Sequence, residues 1–101
     1  MARVDSSGRV TDRSITTALH WHPGDRLTIT AAVGAILVGR SYDGLTLLAV
    51  KSCITIPALL RRRHHIHTGD RVLLAADPGS DQLTIYPLAT LHHALTGGDP
   101  R

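Results

Sequence analysis

Arginines are the residues of this sequence whose type and spacing most clearly suggest a chemical role. The 101-residue chain carries 11 basic residues, all but Lys51 arginine, against 8 acidic ones, and its formal net charge is +3. Between positions 51 and 71 the balance is +4, because Asp70 alone stands against Lys51, Arg61, Arg62, Arg63 and Arg71. Guanidinium groups bind phosphate oxygens in pairs and read guanine edges. The segment therefore suits contact with nucleic acid, and its alternative is a solvated helix face.

Histidines form the second candidate group. His20 and His22 recur as His65 and His67, so two His-x-His segments offer ligand types that Zn²⁺ and Ni²⁺ accept. Neither a cysteine nor a glutamate accompanies them, and imidazoles also interact well with the last carbonyls of a helix. We favour the helix-end interpretation and predict neither a metal nor a cofactor.

Catalytic motifs are missing from the sequence. It contains no glycine-rich phosphate loop and no nucleophile elbow, and no spaced His and Asp signature surrounds its serines or Cys53. Most aspartates fall in turns, where the carboxylate caps backbone groups, and we predict this role for Asp25 and Asp70. The sequence is thus not expected to encode an enzyme.

The composition indicates one folded domain over residues 1–101. The chain is 43% apolar and 19% charged, and a domain of this size gains stability from partner burial, so a homodimer is one expectation. The single Cys53 excludes an intramolecular disulfide and fits a reducing compartment. No apolar run approaches the roughly 20 residues of a membrane span. We therefore expect a cytoplasmic protein without membrane contact.

An internal repeat organises the chain. Residues 15–34 align with residues 60–79 at an offset of 45, and 7 of the 20 pairs are identical, including Gly24-Asp25-Arg26 with Gly69-Asp70-Arg71. Such self-similarity indicates two copies of one structural unit. The predicted units span residues 3–40 and 45–87, and residues 88–101 are predicted to form a short helical tail.

Each unit has the pattern of an extended segment, a two-turn helix and a β-hairpin. The predicted helices are 13–20 and 58–65, with Pro57 in the first helical turn. The predicted hairpin strands are 27–31 with 35–39, and 72–76 with 82–86. One such unit cannot bury both faces of its sheet, so we predict that the two pack as a pseudo-twofold, mainly β barrel or sandwich.

These residues and their order resemble a known family. Val4-Asp5-Ser6-Ser7-Gly8-Arg9-Val10, a short helix and Gly24-Asp25-Arg26-Leu27 resemble the AbrB/MazE/SpoVT family of swapped-hairpin DNA-binding domains. The second copy resembles it through Ile54-Thr55-Ile56-Pro57, the helix Leu59-Leu60-Arg61-Arg62 and Gly69-Asp70-Arg71-Val72. The resemblance implies a swapped-hairpin (double-split) β-barrel and a transcriptional regulator that binds double-stranded DNA.

The resemblance and the charge pattern together give the candidate DNA-binding residues. Arg3 and Arg9 match the basic positions around the first turn, and Arg61 and Arg62 match the arginine pair of the helix. The full candidate set is Arg3, Arg9, Arg13, Lys51, Arg61, Arg62 and Arg63. We assign Arg26 and Arg71, which follow Gly-Asp at a strand start, to a local ion pair or a solvated face.

Each copy lacks a different part of the family's basic pattern. Copy one carries Thr16 and Thr17 where the arginine pair would lie, and copy two carries Ser52 and Cys53 where the Gly-Arg turn would lie. If the two units interlock, one composite and asymmetric basic surface forms. Two other functions stay open: the antitoxin of a toxin–antitoxin pair, with a toxin protein as partner, and a protein-assembly module that has lost DNA binding.

Overall fold

Two short helices and eight strands make up the part of the chain that the computed structural model describes, residues 2–87. The predicted tail helix lies outside these residues. The first half contains β1 (Ala2–Arg3), β2 (Arg9–Thr11), α1 (Arg13–Leu19), β3 (Arg26–Ala32) and β4 (Ala35–Arg40). The second half contains β5 (Thr46–Leu47), β6 (Cys53–Thr55), α2 (Ala58–Arg63), β7 (Arg71–Asp77) and β8 (Gln82–Pro87), with 3-10 turns at Val50–Ser52 and Pro78–Ser80.

The strands form two antiparallel sheets. A six-stranded sheet has the order β1-β7-β8-β4-β3-β5 and curls into half a barrel, while β2 and β6 pair as a separate ribbon. If each strand is exchanged for its counterpart in the other half, this order reads the same from the opposite edge. The protein is therefore mainly β, as predicted, and its two halves are built alike.

Strands of the two halves pair with each other in equivalent ways. The first strand of each half pairs with the hairpin of the other, β1 with β7 and β5 with β3. The two hairpins meet through β4 and β8, and Val10 faces Ile54 at the centre of the β2–β6 ribbon. Equivalent backbone bonds repeat at both sites: Val4 N to Asp70 O (2.9 Å) matches Leu48 N to Asp25 O (2.9 Å).

The core lies between the half-barrel and the β2–β6 ribbon. Each of the four long strands contributes fully buried residues: Leu27 from β3, Ile36 and Val38 from β4, Val72 from β7, and Leu83 and Ile85 from β8. Val10, Ile54 and Ile56 come from the ribbon side and belong to the same cluster. Because this cluster draws on both halves of the chain, neither half encloses it alone.

The predicted elements agree with the structure to within a few residues. Both hairpins and both helices form where the repeat placed them, and Asp25 and Asp70 cap the Gly-Asp turns by accepting from the backbone N–H of His22 (2.9 Å) and His67 (2.8 Å). Pro57 is a correction, because it is the N-cap residue of α2 and does not lie within its first turn.

Candidate nucleic-acid interface

The turn between β1 and β2 fixes Arg9. Asp5 accepts the backbone N–H of Ser7 (2.8 Å) and of Arg9 (2.9 Å) through Oδ1, and Arg9 Nε donates to Asp5 Oδ2 at 3.0 Å. The backbone N–H of Arg9 is the main reason why the pKa of Asp5 lies below its usual value. The carboxylate thus stays ionised at neutral pH, orders the turn and orients an exposed guanidinium.

Helix α2 of the second half lies on this turn. Ile56 N donates to Gly8 O at 2.9 Å, and Arg61 Nε donates to Ile56 O at 3.0 Å. A Cβ added at Gly8 would lie 2.5 Å from both Cζ and Nε of Arg61, so the guanidinium packs directly against the glycine backbone. Gly8 also has φ +78°, a conformation that favours glycine. The close approach of Arg61 thus depends on a glycine at position 8.

Four predicted residues lie on this turn and on α2, and we call them the arginine cluster: Arg9, Arg61, Arg62 and Arg63. Arg62 and Arg63 are exposed on α2, where neither side chain forms a hydrogen bond or ion pair within residues 2–87. Asp5 is the one acidic residue in the turn Asp5–Arg9 and in α2, so this region has a net charge of +3. Such a concentration of partly unpaired guanidinium groups attracts phosphate.

The symmetry-related site is different in chemistry. Thr16 takes the place of Arg61, and its Oγ1 donates to Ser52 Oγ at 3.0 Å, where Ser52 takes the place of Gly8. We call four residues of this site the threonine cluster: Thr16, Thr17 and Cys53, which correspond to Arg61, Arg62 and Arg9, and Ser52, which corresponds to Gly8. Cys53 Sγ lies 3.0 Å from Oγ1 of Thr11. Small neutral side chains therefore occupy the positions that the arginine cluster fills on the other side.

Two predicted residues belong to the threonine side. Arg13 begins α1 and Lys51 lies in the 3-10 turn, and both are exposed. Asp12 is the N-cap of α1 and accepts from Ser14 Oγ (2.6 Å) and Ile15 N (3.1 Å); the Ser14 hydroxyl is the main cause of its lowered pKa. With Asp12 included, this side has a net charge of +1.

The remaining arginines lie elsewhere. Arg3 faces Arg71 in the β1–β7 register, and Arg26 Nη1 donates to Gly44 O at 3.2 Å, a backbone carbonyl and not the carboxylate of an ion pair. Arg40, which the sequence analysis did not single out, binds Asp81 (2.9 Å) and Asp25 (3.2 Å). Since Arg40, Asp25 and Asp81 lie in three separate segments, no local spacing signalled these ion pairs.

The histidines do not assemble into a cluster within residues 2–87, where no group of three or more His, Cys, Asp or Glu side chains could hold a metal ion. His20 is the left-handed C-cap of α1 (φ 58°), and His65 has the same conformation after α2 (φ 55°). His67 Nδ1 lies 3.6 Å from Asp70 Oδ2. The absence of a bound metal stays a prediction.

Comparison with known proteins adds no relative: no family model, curated protein or solved structure matches the chain. None of the helices within residues 2–87 is long and apolar enough to cross a membrane.

Proposed function

We propose that this protein is a small cytoplasmic DNA-binding regulator whose two halves form a swapped-hairpin barrel of the AbrB type. The observation that carries the proposal is the contact of Arg61, from the second half, with Gly8, from the first. This contact puts the turn bearing Arg9 beside the helix bearing Arg62 and Arg63. One composite basic surface is what a duplex-binding protein of this pattern needs.

The side-chain chemistry supports duplex DNA as the ligand. Arginine forks match phosphate oxygens and the O6 and N7 atoms of guanine, whereas a scattered lysine surface offers point charges without this geometry. Asp5 and Ile56 bind the Nε atoms of Arg9 and Arg61 respectively, which orients both guanidinium groups before any ligand arrives. Pre-oriented side chains lose less conformational entropy on binding.

A protein-assembly role is the second candidate, and a specific feature favours it. Tyr42 and Leu45 are each 96% exposed and Val50 is 73% exposed, all within nine residues around β5. Exposed apolar side chains that are close together often mark protein contacts. This role predicts self-association that Leu45→Ser weakens, and sedimentation velocity over a range of protein concentrations measures it.

The DNA proposal is tested by the salt dependence of binding. Duplexes enriched from a random-sequence pool are titrated by fluorescence anisotropy at several salt concentrations with wild type, Arg9→Ala and Arg62→Ala. Removing an arginine that contacts a phosphate is expected to reduce the steepness of log K against log salt by about 1. Removing one that reads guanine is expected to weaken binding to the preferred site by about 1–3 kcal/mol.

Arg26→Ala is the control, because Arg26 is exposed yet binds Gly44 O within its own sheet region. It should leave the slope unchanged. If folded Arg9→Ala and Arg62→Ala proteins bind DNA like wild type, the DNA proposal is wrong and the assembly role becomes the better one.

A further inference from the structure

We infer that one chain binds a single DNA element without dyad symmetry, in one orientation, and reads its bases through the arginine cluster alone. The inference rests on the proposed function and extends it from duplex DNA in general to a class of site. A protein with two identical reading surfaces related by a twofold axis selects inverted repeats, since each surface meets the same bases. The backbone of this chain has the local twofold symmetry of such a protein, but the chain has only one reading surface.

The strand registers show which positions correspond. In the β2–β6 ribbon Arg9 faces Thr55 and Thr11 faces Cys53, so the local twofold axis exchanges Arg9 with Cys53. Arg61 contacts Gly8 and Thr16 contacts Ser52 in the same way, so the same axis exchanges Arg61 with Thr16. No position of the arginine cluster therefore has a basic counterpart, because Arg62 and Arg63 correspond to Thr17 and Ala18.

Shape as well as charge separates the two sides. The guanidinium of Arg61 fills the space where a side chain of residue 8 would lie. On the other side the side chain of Ser52 fills that space and accepts a hydrogen bond from Thr16. An arginine could not take the same position over Ser52 without displacing its hydroxymethyl group. The threonine cluster is thus built around a small residue, and it cannot present a guanidinium as the arginine cluster does.

The residual positive charge of the threonine side suits contact with DNA phosphates and not with bases. Lys51 and Arg13 are exposed, and Asp12 offsets one of them. Phosphate contacts of this kind position a duplex but carry no sequence information. We therefore expect base preferences to cover one contiguous element within about one helical turn, roughly 10 bp, and not two mirrored halves.

The experiment selects bound duplexes from a random-sequence pool and measures the stoichiometry of the selected site by sedimentation. An element without dyad symmetry that binds one chain supports the inference. A dyad-symmetric site supports it only if two chains bind and each half alone binds one chain. A dyad-symmetric site that binds one chain, or whose halves do not bind separately, overturns it.

A symmetrised variant provides the second test. Thr16→Arg, Thr17→Arg and Cys53→Arg copy Arg61, Arg62 and Arg9 onto the other side, Ser52→Gly copies Gly8, and the matched control carries Gln in place of each new Arg. The Arg variant should select an inverted repeat at one chain per duplex and raise the salt slope by about 3 over the control, about 1 for each added contact. Equal slopes and unchanged site symmetry in the folded variant would count against the inference.

Different results would contradict the DNA-binding function and the single-element site. If wild type binds no duplex at low salt, the proposed function itself is wrong. If wild type binds with an arginine-dependent salt slope but prefers a dyad-symmetric site at one chain per duplex, only the single-element inference is wrong. The wild-type selection decides this even if the symmetrised variant does not fold.

Discussion

Arg61 occupies the space in which any side chain at position 8 would lie, and Gly8 in turn holds a left-handed backbone with φ +78°. Gly8→Ala therefore meets two penalties, backbone strain of about 1 kcal/mol and displacement of a guanidinium from its place. We expect a loss of about 2 kcal/mol in the free energy of unfolding, measured by urea denaturation. DNA affinity should fall as well, because Arg61 moves.

Gly24→Ala separates the two penalties. Gly24 has φ +93°, yet a Cβ there would meet nothing within 4 Å, so only the backbone strain remains. The Gly24 variant should be destabilised less than Gly8→Ala and should bind DNA normally. A Gly8→Ala, Arg61→Ala double variant should regain part of the lost stability. If Gly8→Ala and Gly24→Ala behave alike, the Arg61 contact has no energetic consequence.

Asp81 links the two halves through a buried tryptophan. Trp21 is only 3% exposed, and its Nε1 donates to Asp81 Oδ1 at 2.7 Å, while Arg40 Nε donates to Oδ2 at 2.9 Å. Asp81→Ala leaves the indole N–H without its acceptor and should cost about 1–3 kcal/mol. Asp81→Asn keeps an oxygen for Trp21 and suits the left-handed φ of 55°, so it should cost less than 1 kcal/mol.

The fluorescence of Trp21, the one tryptophan of the chain, measures this unfolding directly. Equal losses in the two Asp81 variants would mean that the ion pair with Arg40 matters more than the hydrogen bond to the indole.

We expect His64 to make the free energy of unfolding depend on pH. Its Nε2 is buried without a hydrogen-bond partner within residues 2–87, and burial is the main cause of its lowered pKa, followed by the charge of Arg63 and by His65. The unfolded chain therefore binds the proton more tightly than the folded one. The stabilising effect of neutral His64 is complete above about pH 6.5 and is lost as the pH falls from there towards the folded pKa.

His64→Leu should remove this dependence. The corresponding residue of the first half is Leu19, which is almost fully buried, so a leucine fits the position. We expect a gain on the order of 1 kcal/mol at neutral pH and a flatter profile of stability between pH 5 and 7. Thermal melts at several pH values provide the measurement, with His22→Leu at an exposed position as the control. The same slope in His64→Leu and wild type would assign the pH dependence to other groups.

The repeat made the elements predictable because hairpin alternation and Gly-Asp turns are local signals. Asp25 and Asp70 cap the backbone three residues away, a distance that sequence reasoning can reach. The contact of Arg61 with Gly8 joins residues of different halves, and only the pairing of strands across the halves determines it. The asymmetric replacement of Leu19 by His64 was visible in the alignment, but its cost became clear only from the unpartnered Nε2.

Trp21, Arg40 and Asp81 were not predictable in the same way. They lie 19 and 41 residues apart in sequence, and in the second half Ile66 takes the place of Trp21. A network that joins the two halves once, and whose tryptophan is replaced by Ile66 at the equivalent position, leaves no periodic signal. It requires the register of β4 on β8, which brings Asp81 to the end of the strand that carries Arg40.

Cutting the chain after Asp43 tests whether each half depends on the other. In the fragment 1–43, β1 loses its pairing partner β7 and β3 loses its pairing partner β5. Buried residues such as Leu27 and Ile36 lose the residues of the second half that pack on them. A single copy should therefore not fold at low concentration. Two copies can replace the missing half, so circular-dichroism melts should shift upward as concentration rises. A cooperative melt that does not depend on concentration would contradict the mutual dependence of the halves.

The residues at the helix–turn contacts predict an order of stability among the fragment pairs. Two copies of 1–43 place Thr16 against Gly8, which leaves a gap, whereas two copies of 44–101 place Arg61 against Ser52, whose side chain occupies the space that Arg61 needs. The mixed pair restores both native contacts. We expect the mixed pair to melt highest, the 1–43 pair next and the 44–101 pair lowest. Ser52→Gly in 44–101 should raise the melting temperature of its self-pair; if it does not, the steric match between residues 61 and 8 plays no part in assembly.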